Sequence, residues 1–99
     1  MLNIDKKAEG KSLVYTLTGR LDTMTAPQLE GDVSASLAGV EDLSFDCAGL
    51  EYVSSAGLRV LLAAQKTMNA QGKMVLKNVT EEVKEIFEVT GFSDILTIE

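Results

Sequence analysis

Short runs of β-forming residues alternate along this chain with segments whose apolar residues recur at helical spacing, and this alternation restricts the fold more than any other feature. From Ser12 to Thr18, Leu13, Tyr15 and Leu17 alternate with Val14, Thr16 and Thr18, a pleated pattern rich in strand formers. Ile4 to Glu9 is a weaker strand candidate, joined to it through a Gly10-Lys11 turn as a hairpin, and Gly19 is expected to end the second strand. Leu43 to Cys47 reads as a short buried strand, followed by a loop from Ala48 to Ser54 with Gly49 inside it. Lys73 to Lys77 is another strand, with Met74 and Leu76 on one face and Val75 on the other, and Ile95 to Ile98 supplies a last one.

Three helical segments lie between them. Leu29, Val33 and Leu37 form one apolar stripe behind Thr25, a plausible N-cap, and Pro27, which is tolerated in a first helical turn; Gly39 is the expected stop. Ala56 to Gln71 carries Leu58, Leu61, Leu62 and Met68 and ends at Gly72. The third stripe is Val83, Ile86, Phe87 and Thr90. It is capped by Thr80, has acids in its first turn and is closed by Gly91. The order β-β-α-β-α-β-α-β predicts an α/β fold: a mixed sheet of four to five strands with parallel βαβ units, covered by three main helices. No linker, repeat or low-complexity stretch divides the chain, so residues 1–99 are expected to form a single domain.

Composition narrows the function. A hydrophobic fraction of 45% with 24% charged residues is that of a folded protein, and the absence of Trp leaves the core to Leu, Val, Ile and Ala. The net charge of -6 opposes binding to nucleic acid or an anionic membrane, and Lys6-Lys7 is the only adjacent basic pair. Histidine is absent, which removes Ser-His-Asp and Cys-His nucleophilic sites and most transition-metal sites. The single Cys47 cannot form an internal disulfide; it reads as a small buried hydrophobe in a chain suited to a reducing cytoplasm. Met1 to Asp5 has no apolar signal core, and Val60 to Ala64 is too short an apolar run to span a bilayer. The chain has no phosphate-cradling glycine loop, no Gly-x-Ser-x-Gly and no base beside its serines, so neither a cofactor nor enzymatic activity is expected.

The segment Tyr52 to Leu62 is the chemically distinctive one. Ser54 and Ser55 stand where a strand and loop hand over to a helix. Unpaired backbone N–H groups and the positive end of the dipole at such a point accommodate an anion, including a covalent phosphate. Gly57 permits close approach to the backbone, and Ala56 keeps the first turn small, so that a modifying enzyme can reach the serine. Serines in this position also serve simply as helix caps, each contributing about 1 kcal/mol. The two roles are compatible: Ser54 caps while Ser55 is modified, or the reverse.

The segment Ser54-Ser55-Ala56-Gly57-Leu58, after Tyr52-Val53, resembles the phosphorylation motif of the bacterial STAS proteins that act as anti-sigma factor antagonists. Leu17-Thr18-Gly19-Arg20-Leu21-Asp22 resembles that family's Gly-x-Leu-Asp turn. Asp46 falls where an Asp or Asn ends the family's central strand, and Val89-Thr90-Gly91-Phe92 resembles the ending after its last long helix. The match runs through essentially the whole chain in order. Carried over by motif, Ser55 is the phosphosite and Ser54 the alternate. Ser54 stands where many members have Asp, Ala56 where many have a second Ser, and Cys47-Ala48-Gly49 replaces a more usual aliphatic-Ser stretch.

The resemblance implies partner switching in the cytoplasm. The unmodified protein would bind an anti-sigma factor that is also a serine kinase of the histidine-kinase-like ATPase type, releasing a sigma factor. Phosphorylation would end the binding and a serine phosphatase would restore it. The partner surface is expected to include Asp22, Thr23 and Met24 together with Ser54, Ser55, Ala56, Gly57 and Leu58. Met24 is either an adaptable contact or a core filler. Asp22 and Asp46 are both expected near the phosphosite, as strand ends facing that loop. Arg59 either pairs with the phosphate or is a solvated helix residue. The alternative is a STAS interaction or ligand-binding module that phosphorylation does not control.

Overall fold

The alternating run that begins at Ser12 forms the strand around which the other elements assemble. In the computed structural model, which describes residues 1–99, the order is β1 (Leu2–Glu9), β2 (Ser12–Leu21), α1 (Ala26–Ser36), β3 (Asp42–Val53), α2 (Ser55–Gln71), β4 (Lys73–Lys77) and α3 (Glu81–Thr90), then a 3-10 turn over Phe92–Asp94. The sheet order is β1-β2-β3-β4. β1 runs antiparallel to β2, whereas β2, β3 and β4 are parallel and joined through α1 and α2. No helix is long and apolar enough to cross a membrane.

The strands bury one face only. Leu13, Tyr15, Leu17, Leu43, Phe45, Cys47, Met74 and Leu76 point into the core, and the stripes of all three helices join the same apolar cluster. The Tyr15 and Phe45 rings stack there with centroids 5.4 Å apart. Parallel sheets are usually covered on both faces. Here the other face stays open over the parallel strands, where Thr16, Thr18, Ser44 and Asp46 are interspersed with Val14 and Val75.

Four sequence expectations need correction. Gly19 does not end β2. It takes a positive φ of 110° beneath the first residue of the chain, where a Cβ would lie 2.2 Å from Met1 O, and Arg20 N–H then donates to that oxygen at 3.1 Å. The strand therefore continues to Leu21. The expected loop from Ala48 is also strand as far as Val53. β3 pairs with β2 along its whole length, but two register shifts insert extra residues on β3, so the buried positions step from Cys47 to Leu50 to Val53 and the alternation disappears. α1 ends at Ser36 with Leu37 as its C-cap, before Gly39. The last strand contracts to a single parallel bridge between Ile98 and Leu76, because Phe92 to Asp94 wind into a 3-10 turn first. By contrast, Thr80 accepts from Val83 N as expected, and Gly72 and Gly91 close their helices.

One polar cluster fastens β1, β2 and α1 together. The buried Tyr15 hydroxyl donates to Asp32 Oδ1 at 2.7 Å, Lys6 Nζ donates to the same oxygen at 3.1 Å, and Ser36 Oγ to it at 3.3 Å. The Tyr15 hydroxyl, with Lys6 and Ser36, holds the Asp32 carboxyl below its ordinary value, while burial and the Asp32 charge push the Tyr15 phenol up to about 12. Tyr15→Phe removes the donor and is expected to cost about 1 kcal/mol in urea unfolding at pH 7. The Asp32 carboxyl is depressed in the folded state. Its contribution is therefore present above the unfolded carboxylate value of about 3.9 and is lost as pH falls through the folded value. Asp32→Asn is accordingly expected to be less stable than the wild type at pH 7, with a difference that narrows on acidification below about pH 4.

Candidate functional site

β2 and β3 end side by side, and each leads into the first turn of a helix. Leu21 pairs with Val53, and Ser54 N–H donates to Leu21 O at 2.8 Å, so the two chain exits are fixed against each other. Ser54 has extended backbone geometry and its Oγ accepts from Gly57 N–H at 3.3 Å, which makes it the N-cap of α2. It is half-buried. Ser55, the first residue of the helix, is exposed, and its hydroxyl has no hydrogen-bond partner within the chain. The two adjacent hydroxyls are thus differently placed: one is engaged in holding the helix, the other is free.

The neighbouring turn is organised by Asp22. Its Oδ1 accepts from Met24 N–H at 3.0 Å and Thr25 N–H at 3.1 Å, while Thr25 Oγ1 accepts from Asp22 N–H at 2.9 Å and donates to Arg20 O at 2.8 Å. Thr25 therefore sits at the N-cap position, but its side chain points back to the strand end and gives no cap bond to α1. Burial would raise the Asp22 carboxyl, but the hydrogen bonds from Thr25 and Met24 outweigh it and leave the group below its ordinary value. This carboxylate stays charged at neutral pH. Met24 projects from the turn and is 87% exposed, which removes core filling as its role.

A shallow cleft joins the two regions. Thr23, Pro27 and Glu30 line one side, and Ala56, Arg59 and Val60 the other. Arg59 is exposed and takes part in no ion pair. Asp22, Thr23, Met24, Ser54, Ser55 and Ala56 are therefore gathered at one end of the sheet. Arg20 and Tyr52 join them there, with the guanidinium 4.5 Å from the ring centroid. Sequence reasoning missed this pair because the two residues become ladder neighbours only through the second register shift.

Other expected members stand apart. Asp46 lies within β3, between Thr16 and Lys77 in the ladder, and its Oδ1 accepts from Ala48 N–H at 3.1 Å and Asn78 Nδ2 at 3.2 Å. The rest of β3, at about 3.3 Å a residue, separates it from Ser54. The motif position marks a strand end only if β3 stops near Cys47, and it does not. Gly57 and Leu58 are buried and face inward, so neither is presented to a partner. Cys47 is buried too. Burial, with Asp46 next to it, pushes its thiol up to about 12, so it remains protonated and unreactive.

Comparison with known proteins identifies the family and the fold. The STAS domain model matches residues 3–99. The chain is 38% identical over 88 residues to the candidate anti-sigma factor antagonist BtrV of Bordetella bronchiseptica, covering 87% of this chain and 76% of that protein. It is 28% identical over 98 residues to the anti-sigma-B factor antagonist of Bacillus subtilis, covering 98% of this chain and 90% of that one. The crystal structure of an anti-sigma factor antagonist from Mycobacterium paratuberculosis superposes with a TM-score of 0.88 at 20% identity, over 99% of this chain and 85% of the other. The sheet order, the paired strand exits and the serine-bearing helix tip thus occur in a chain that belongs to the STAS domain family.

Proposed function

We propose that this chain is an anti-sigma factor antagonist switched by phosphorylation at Ser55. The observation that carries the proposal is the contrast between the two serines: Ser55 offers an exposed, unengaged hydroxyl at the first residue of α2, while Ser54 spends its oxygen on Gly57 N–H. The names of the Bordetella and Bacillus relatives support an anti-sigma factor as the partner. In the unmodified state the Asp22–Thr25 turn, with Met24 projecting, and the exposed tip of α2 dock on an anti-sigma factor and release its sigma factor. That partner is a serine kinase of the histidine-kinase-like ATPase type, and a serine phosphatase reverses its action. The protein works by binding in the cytoplasm, not by catalysis.

Electrostatics make the switch effective. A phosphate adds about -1.5 to -2 charges at neutral pH. It arrives at a protein whose net charge is already -6, at the same end of the sheet as the Asp22 carboxylate. Each 1.4 kcal/mol lost at the interface weakens binding about tenfold, so a few kcal/mol of repulsion and misfit suffice, without refolding the domain.

Incubation with the cognate kinase and ATP, followed by mass spectrometry, should place phosphate on Ser55 in the wild type and in Ser54→Ala, and nowhere in Ser55→Ala. Phosphate on neither serine would refute the switch, and phosphate on Ser54 alone would refute the assignment. Ser55→Asp is expected to bind the kinase at least about tenfold more weakly than Ser55→Ala by calorimetry. Ser54→Ala removes the cap and should cost about 1 kcal/mol in thermal unfolding, whereas Ser55→Ala should change stability little.

A further inference from the structure

Gly57 lies within the first turn of α2, where glycine is about 1 kcal/mol less favourable than alanine. Its backbone does not require glycine, because it is absent from the residues with positive φ. Packing does require it. A Cβ at this position would lie 2.7 Å from Leu21 Cγ, 3.1 Å from Leu21 Cδ2 and 3.0 Å from Leu21 O. One of these atoms is backbone. The side chain that owns the others is 0% exposed and has no free direction in which to move. The space a side chain would fill at Gly57 is thus occupied by the end of β2. The same two segments are joined by Ser54 N–H to Leu21 O at 2.8 Å and by Gly57 N–H to Ser54 Oγ at 3.3 Å. Asp22, the organiser of the neighbouring turn, follows Leu21 directly.

We propose that Gly57 is a positioning residue: by having no side chain it lets α2 seat against Leu21, and so sets the spacing between the Asp22–Thr25 turn and Ser55 that the partner recognises. This rests on the partner-switching reading above for its consequence, and on the Leu21 contact alone for its geometry. An added methyl group would lever the helix tip away from the turn. Ser55 would remain exposed, but the two halves of the docking surface would no longer be in register.

The test compares wild type, Gly57→Ala, Leu21→Ala and the double variant. Two readouts are used: backbone amide NMR shifts of Asp22, Met24 and Thr25 in the isolated protein, and KM and kcat for Ser55 phosphorylation by the cognate kinase. Gly57→Ala is expected to move those amides and raise KM about tenfold with kcat nearly unchanged, a loss of about 1.4 kcal/mol in docking. Leu21→Ala alone is destabilising, as a large-to-small change in the core, but should leave KM near wild type, and in the double variant it should recover most of the KM, because it removes Cγ and Cδ2, the two side-chain atoms that crowd the new methyl group. A folded Gly57→Ala with wild-type amides and KM would overturn the proposal, as would a double variant that regains thermal stability but not KM. If Gly57→Ala does not fold, the double variant decides. Removing the two crowding side-chain atoms should bring its KM close to that of the wild type, and a folded double variant whose KM stays about tenfold above wild type would overturn the proposal. A wild type that the kinase ignores would defeat the functional reading, and the amide shifts would still judge the joint.

Discussion

The parallel pairing of the last residues of β2 with the last residues of β3 is the interaction on which the site depends. It brings Leu21 beside Val53 and presents Leu21 O to Ser54 N–H at 2.8 Å. Without it, the Asp22 turn and the tip of α2 would be two independent loops on separate crossovers. With it, they are the adjoining exits of one pair of strands, each backed by a buried leucine or valine. The upper part of β3 has no β4 neighbour, since β4 pairs only from Asp42 to Asp46. Its free side is met instead by α3, whose cap residue Thr80 donates from Oγ1 to Leu50 O at 3.3 Å. The strand segment that carries the site is therefore held from both sides by different kinds of contact.

The rigid scaffold and the chemical site are separated along the sheet. The Tyr15, Asp32, Lys6 and Ser36 cluster ties the hairpin to α1 well before the strand exits. Asp22 ties the beginning of α1 to the exit itself. Under the proposed switch, a charge added at Ser55 would meet a surface that has little freedom to yield, so its effect would fall on the docking partner. The net charge of -6, with the Asp22 carboxylate held at the same end of the sheet, would favour the repulsion that the proposed switch requires.

Much of the fold was legible because its signals are local. β4 and the caps at Thr80, Gly72 and Gly91 follow from a short apolar alternation and from helix-end chemistry, and each is found where these signals place it. Ala48 to Val53 was illegible as strand because register shifts against β2 turn a period of two into a step of three, and a shift in register is a property of two strands together. Ile95 to Ile98 has strand-forming residues, but a strand needs a partner along its length, and only Ile98 meets one. Asp46 was misplaced for the first of these reasons: a longer β3 carries the site away from it.

The sequence by itself determined that a serine pair precedes a helix, that no histidine can activate it, and that the surrounding protein is acidic. These are matters of residue identity and short-range periodicity. Only the tertiary structure decided which serine is free, that Asp22 follows the strand exit paired with the one before Ser54 while Asp46 lies in mid-strand, and that the room at Gly57 is taken by Leu21 and not offered to a visitor. The physical reason is common to all three. Each depends on which atoms of distant segments fill the same space, and that is settled when β2 and β3 align and the first turn of α2 closes over their ends.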